Sequence, residues 1–391
     1  MNTSTTTVWC RKSLCWVLVS LVLALTFFVL TPNNHAAPIT FTVSETAGLR
    51  RFGYPVTASL EVGQGALPDA ASARLLDATG KGFPAQFTTI SKWPDGSVRG
   101  LDVDFTSSPG PMETQSYRVE LTGGSALSGK GGLAVTETAD EITVASSAIA
   151  HKIRRDGNPL LTSMINGELE FLTAGGVTTT LAPGPAEVIK RGPFNVTLRL
   201  GPVTLEYVSS KSWVKIVQRA AAPTDLAVNA HFALPEPPVL WDFGVESWLY
   251  GCFRKPTESA VLRQSQAGWR VFMGVFAHRP AEPAGLNAGH AGLPMGKNIG
   301  KGEPSPLYAS GKRAEGWGHI ADRQRVVAFG MSDFAADGEG TLVLGANGHL
   351  CVSATRKELT VYFHVVGQPV QVTAVTSPPS LLAPLVVRVK E

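Results

Sequence analysis

The sequence predicts an all-β protein of two unequal units, a small N-terminal one and a large antiparallel β-sandwich. Three observations predict it. Among 391 residues, Gly 40 and Pro 27 stand against only 17% charged residues, a composition of many strands and turns with few stretches rich in helix formers. Short runs of alternating apolar and polar residues recur along the chain, each bounded by Gly, Pro, Ser or Asp. One hairpin tip, Trp93-Pro94-Asp95-Gly96-Ser97, is legible from turn chemistry alone. Pro94 presets the backbone angle of a tight turn, Asp95 bonds back to nearby amides, and Gly96 accepts the left-handed conformation that closes the loop.

In chain order, Arg11 and Lys12 precede an apolar run from Leu14 to Leu30, followed by Thr31-Pro32-Asn33-Asn34 and the small residues Ala36-Ala37. These are the three regions of a secretory signal, so residues 1–37 are assigned to a hydrophobic export helix. It reads as a signal peptide cleaved near Ala36 or Ala37 or, because the run is long, as an uncleaved anchor. Either way the remainder is expected to be exported, periplasmic or extracellular, and to meet the membrane only through this segment.

Residues 38–125 form the first unit. Its strands are Ile39 to Val43, Val56 to Val62, the central hairpin, and Tyr117 to Leu121. Beyond the hairpin tip, Leu101, Val103 and Phe105 alternate with Asp102 and Asp104, a strand with one buried face. Val98 is out of phase with that set, which predicts a bulge at Gly100. The Gly/Ser run from Gly123 to Gly132 has no apolar period and marks the boundary.

Residues 126–375 carry further strands: Leu133 to Glu137, Glu141 to Ala145, Ala150 to Arg154, Glu187 to Lys190, Phe194 to Leu200, Val203 to Val208 and Trp213 to Arg219. A sandwich accommodates so many strands without regular helices. The Pro/Gly/Ala-rich stretch from Pro280 to Tyr308 is too long for a simple connection, and reads as a binding loop or a disordered insertion. Residues 376–391 are assigned to a tail. Cys10 and Cys15 belong to the leader, which leaves Cys252 and Cys351 as a disulfide pair or as two buried thiols.

Several patterns resemble one family. Leu75-Leu76 before Asp77, then Gly80, Pro84 and Gln86, then Trp93 to Ser97, is similar to the N-terminal segment of the exo-rhamnogalacturonan lyase-like proteins. Looser likenesses follow in Gly201-Pro202 with Ser209 and Trp213-Val214-Lys215, in Asp242-Phe243-Gly244 before Trp248 and Tyr250, and in Gly316-Trp317, Asp322, Val326-Val327-Ala328 and Asp333-Phe334. The resemblance implies a RIFT-type β-barrel followed by a central β-sandwich. It also implies β-elimination at a uronate and an acidic, pectin-type (rhamnogalacturonan-like) polysaccharide or oligosaccharide as partner. Members of full length continue into an α/α toroid. Here Tyr362 to Val366 is followed by a short segment, so the toroid is expected to be missing or supplied by a separate chain.

Uronate β-elimination needs a base for the C5 proton and a positive or strongly donating group beside the carboxylate. Tyr250, His319 and Arg313 are the catalytic candidates, with Trp248, Trp317 and His278 as substrate-binding candidates. Each also reads as an ordinary structural or exposed residue. Asp95 and Trp93 are explained by the turn, and Asp102 with Asp104 reads as a carboxylate pair or a solvated face.

Other chemistry lacks a signal. The histidines beyond the leader (His151, His231, His278, His290, His319, His349 and His364) form no spacing diagnostic of a metal site, and no cofactor motif occurs. There is no Gly-x-Ser-x-Gly elbow and no P-loop. A net charge of +3 without a dense basic stripe argues against nucleic acid. The expectation is an exported lyase-like protein that acts on or binds acidic glycan, the alternative being a non-catalytic carbohydrate-binding or envelope structural module.

Overall fold

The computed structural model describes residues 37–122, 132–234, 239–246, 248–275, 307–336, 340–367 and 385–389. Residues 1–36, 123–131 and 276–306, on which fall the expected export segment, the expected boundary and the Pro/Gly/Ala-rich stretch with His278 and His290, lie outside them. Apart from one 3-10 turn at Ala70–Ser72, every regular element described is a β-strand, and every pairing is antiparallel. The all-β expectation is met.

In the first unit, β1 (Ile39–Ser44), β7 (Thr114–Glu120), β3 (Arg74–Asp77) and β4 (Gly82–Phe83) form one sheet. A second sheet contains β2 (Tyr54–Glu61), β6 (Val98–Ser107) and β5 (Gln86–Lys92). They close over a shared core that includes Phe41, Leu75, Leu101, Phe105 and Tyr117. Phe105 meets Tyr117 edge to face at 4.8 Å, a favoured geometry for paired aromatic rings. Among the described residues no ladder joins the two sheets into a ring, so the expected barrel takes the form of two packed sheets.

The hairpin tip has the predicted chemistry. Gly96 has φ +88, and Asp95 Oδ1 accepts from Ser97 N at 3.0 Å and Ser97 Oγ at 2.6 Å. Trp93 Nε1 donates to Val62 O at 2.8 Å. The irregularity lies at Gly100, as expected, and has two parts: Ile90 is the extra residue on β5 between the Thr89–Leu101 and Ser91–Gly100 pairs, and Arg99 is the extra residue on β6 between Ser91–Gly100 and Lys92–Val98. Gly100 admits Ser91, because a Cβ there would stand 2.8 Å from Ser91 Oγ. Val98 is thereby turned inward and fully buried.

Two long strands organise the sandwich. β17 (Trp213–Phe232, 20 residues) pairs with β26 (His349–Gly367, 19 residues) along most of its length, with a register shift between Arg219 and Thr224. On one side of that shift they belong to a layer with β14 (Ala186–Lys190), β15 (Asn195–Leu200), β16 (Val203–Val208), β24 (Arg325–Met331), β23 (Ala314–Ala321), β18 (Val239–Val245) and β19 (Trp248–Phe253). On the other side they join β8 (Ala134–Glu137), β9 (Glu141–Ala145), β10 (Ile149–Arg154), β11 (Leu161–Asn166), β12 (Leu169–Glu170), β13 (Leu172–Thr179), β25 (Gly340–Gly345), β20 (Glu258–Ser265), β21 (Gly268–Val275) and β22 (Leu307–Gly311). The layers enclose one large core that includes Phe171, Phe232, Trp241, Phe253 and Phe363. Burial of each such side chain contributes roughly 1.5–3 kcal/mol.

Residues 376–391, read as a tail, include β27 (Val386–Val389), which pairs with β1 as an edge strand of the first unit. Leu385 enters that unit's core.

Polar side chains join the two units. Gln86 Nε2 donates to Asn195 O at 2.9 Å, and its Oε1 accepts from Phe194 N and Asn195 N, both at 3.0 Å. Gly192 is required by this approach, since a Cβ there would lie 2.3 Å from Gln86 Oε1. Beside it, Lys190 Nζ lies 2.7 Å from Asp102 and 3.1 Å from Asp104. Burial lifts the Asp104 pKa against the opposing pull of Lys190. Asp102 and Asp104 are thus neither a solvated face nor an open carboxylate pair, because a lysine from the other unit engages both.

The cysteine pairing is corrected. Cys252 and Cys351 are both free. Cys252 lies in β19, whereas Cys351 lies in the part of β26 that pairs with Asn229 and Val343. Cys252 is exposed and Cys351 half-buried, so neither is a fully buried thiol; burial pushes the Cys351 pKa up to about 12, which keeps it protonated at neutral pH.

Candidate functional site

Side chains at paired positions of an antiparallel sheet point to the same face. Tyr250 on β19 pairs with Asp242 on β18, Asp242 with His319 on β23, His319 with Ala328 on β24, Ala328 with His364 on β26, and His364 with Trp213 on β17. Six adjacent strands therefore hold one row of mostly polar and aromatic side chains. The residues beside this row in the strands, among them Trp241, Phe243, Ile320, Val327, Phe363 and Val214, turn the other way into the core.

A second row runs parallel to the first. It contains Gly244, Trp317, Gly330, Tyr362, Lys215 and Glu206, with Trp248 paired through its backbone to Gly244. The Trp317 indole lies over Gly244, where a Cβ would stand 2.2 Å from the ring. Only glycine leaves room for it. Trp317 Nε1 donates to Glu315 at 2.8 Å, and the ring meets His319 at 5.5 Å. Trp213 meets Tyr362 edge to face at 5.2 Å.

Asp242 orients His319. Its Oδ1 accepts from the His319 backbone N at 2.7 Å and lies 2.9 Å from His319 Nδ1. With the proton on Nδ1 donated to the carboxylate, Nε2 is the free basic nitrogen. Two strands away, His364 Nε2 lies 2.6 Å from Ser212 Oγ. Burial, then His319 and Lys211, hold the His364 pKa below the ordinary histidine value.

Where the first unit stands against this face, a groove of ≈ 1260 Å³ opens. Tyr54 lines one wall, and Lys211, Trp213, Lys215, Tyr362 and Arg313 line the other side. The charged groups are already ordered: Lys215 Nζ lies 2.9 Å from Glu206, and Glu246 accepts the backbone amides of Lys312 and Arg313 at 3.1 and 2.5 Å. The Tyr54 ring lies 4.8 Å from the Arg51 guanidinium carbon and 4.9 Å from Lys211 Nζ. Aromatic rings set among ordered donors and acceptors suit the apolar faces and hydroxyl rims of a sugar.

Of the sequence candidates, Tyr250, Trp317 and His319 share the face, and Arg313 lines the groove. Tyr250 is 67% exposed at the far end of the row. The Trp248 side chain and all of His278 lie outside the described residues. Asp242, Ser212, Trp213, Tyr362 and His364 were not assigned a role from sequence. Only Trp213 and Lys215 carried a usable signal, the alternation of their strand.

No known family model and no curated protein matches the chain. Among solved structures, the chain is similar to an α-mannosidase from Enterococcus faecalis, with TM-score 0.53 and 11% identity, over 96% of this chain and 48% of that one. The chain thus spans about half the length of that enzyme, and the likeness is one of fold. An uncharacterized protein from Listeria monocytogenes, solved with α-D-glucose, β-D-glucose, magnesium and calcium, gives TM-score 0.17 at 9% identity over 81% of this chain and 29% of that one.

Proposed function

We propose that this face and the groove at its end bind a glycan, and that the protein is an exported carbohydrate-active module with a preference for acidic, pectin-type chains. The observation that carries the reading is the registered row Tyr250, Asp242, His319, His364 and Trp213, which runs into a groove walled by Tyr54 and Tyr362. Arg50, Arg51, Lys211, Lys215 and Arg313 outnumber Glu206, Glu246, Glu315 and Asp333 along the groove by one, and the acidic preference rests on that slight positive balance. The fold likeness to an α-mannosidase, an enzyme of glycans, agrees with a carbohydrate ligand.

If the module turns its ligand over, uronate β-elimination is the reaction to which its candidates are suited, with Tyr250 or His319 as base and Arg313 beside the carboxylate. A second reading, retention without turnover, is favoured by one observation: Arg313 lines the groove while Tyr250 and His319 do not. Catalysis needs both groups at one sugar.

Titration with oligogalacturonides and with neutral oligosaccharides of matched length tests binding, and ultraviolet absorbance of an unsaturated uronate tests turnover. Trp213→Ala and Tyr362→Ala are expected to weaken binding by about tenfold or more each, in line with the cost of losing an aromatic anchor. Wild-type protein that retains no glycan would overturn the proposal. Elimination that survives in Tyr250→Phe and His319→Ala would remove both from the role of base.

A further inference from the structure

Ser212 has no part in the reading above and His364 enters it only as one member of the row, but their pairing has a specific setting. Ser212 immediately precedes β17, and Ser210, two residues earlier, has φ +59, a left-handed turn rare for a residue with a side chain. That turn is clamped onto the first unit. Ser210 Oγ donates to Gly53 O, Gly53 N donates to Ser108 Oγ at 2.9 Å, and Lys211 Nζ sits against the Tyr54 ring at 4.9 Å. Such support holds the backbone leading to Ser212 before any ligand arrives.

His364 completes the pair from β26, 152 residues away in sequence, with Oγ and Nε2 2.6 Å apart. Its chain neighbour two residues back, Tyr362, lines the groove, as do Lys211 and Trp213 on either side of Ser212. Ser212 and His364 are not themselves among the residues that line the groove; the pair adjoins it through these three chain neighbours. His319 and His364 flank the small Ala328 in the row.

We propose that Ser212 and His364 are the nucleophile and general base of an acyl-transfer site whose substrate is an O-acyl ester. That the ester is carried by a saccharide in the groove rests on the preceding reading. Ser212 Oγ bonds to the carbonyl carbon and its proton passes to His364 Nε2. The carbonyl oxygen takes the negative charge, and Lys211, the chain neighbour of Ser212, is the cation available to stabilise the tetrahedral adduct. The adduct collapses, the bond to the leaving oxygen breaks, and the alcohol departs with the proton from His364. Water then attacks the acyl-serine, with His364 taking its proton. The acyl group leaves as a carboxylic acid and Ser212 regains its hydrogen. Ester and water give alcohol and acid.

His364 is held neutral at physiological pH by burial and by the nearby His319 and Lys211, as a base that must accept a proton requires. The missing Gly-x-Ser-x-Gly pattern is not an obstacle, since that pattern describes a strand-to-helix elbow and Ser212 lies between a left-handed turn and a strand.

The test uses the full chain with a fluorophosphonate probe and, separately, p-nitrophenyl acetate. One covalent adduct on Ser212 by peptide mass mapping is expected, together with a loss of ester turnover of about a hundredfold or more in Ser212→Ala and in His364→Gln. Absence of an adduct on wild-type Ser212, or turnover unchanged in folded Ser212→Ala, would overturn the proposal. Neither readout needs a glycan. Ser212 labelling in a protein that retains no oligosaccharide would establish the pair and remove the saccharide as its carrier.

Discussion

Gly96 and His151 show how single positions set stability by different means. Gly96 has φ +88, and a Cβ there would meet no atom within 4 Å, so the cost of a side chain is conformational alone. Gly96→Ala is expected to lower stability by about 1 kcal/mol; an unchanged thermal midpoint would show that the turn tolerates a left-handed alanine. His151 is fully buried beside Tyr207, neither ring nitrogen has a partner among the described residues, and burial lowers its pKa to about 3. The folded value is depressed below the unfolded one, near 6.5. Its contribution is therefore intact above pH 6.5 and is lost as pH falls toward 3, reaching about 5 kcal/mol. Denaturation at neutral and acid pH should show a shallower loss in His151→Leu than in the native chain, and parallel curves would refute the assignment.

At the level of strands, local pattern was a good guide and distance a poor one. The alternation of Leu101, Val103 and Phe105 and the chemistry of Trp93 to Ser97 are local, and both stand as read. The carboxylates on the other side of that strand were misread because their partner, Lys190, is a lysine 86 residues from Asp104. The same limit applies to the candidate site. Asp242, His319, His364 and Ser212 come together only through the register of β18, β23, β24, β26 and β17, which no spacing along the chain discloses. Gln86 belonged to a motif and proved to be a bond across units. Lys190→Met would leave Asp102 and Asp104 facing one another in a nearly closed site, and is expected to cost about 3–5 kcal/mol. Chemical denaturation checks this. Recovery of part of the loss in Lys190→Met with Asp104→Asn would locate the effect in the pair.

Across the whole molecule, the seam at Gln86, Lys190 and Asn195 and the clamp of Ser210 onto Gly53 tie the two units together, with the groove between them. One cooperative calorimetric transition is expected from that linkage, and two separated transitions would show that the units melt independently. Removal of residues 385–391 should destabilise the first unit ahead of the second, because it uncovers the β1 edge and takes Leu385 from the core. The pairing of β27 with β1 also has a bearing on timing. Thr42 bonds Arg388 across 346 positions of chain, so the border of that sheet is not sealed until a segment so far along the chain has been made. Contacts of such span form late. Until then β1 offers an open row of amides and carbonyls to any passing strand.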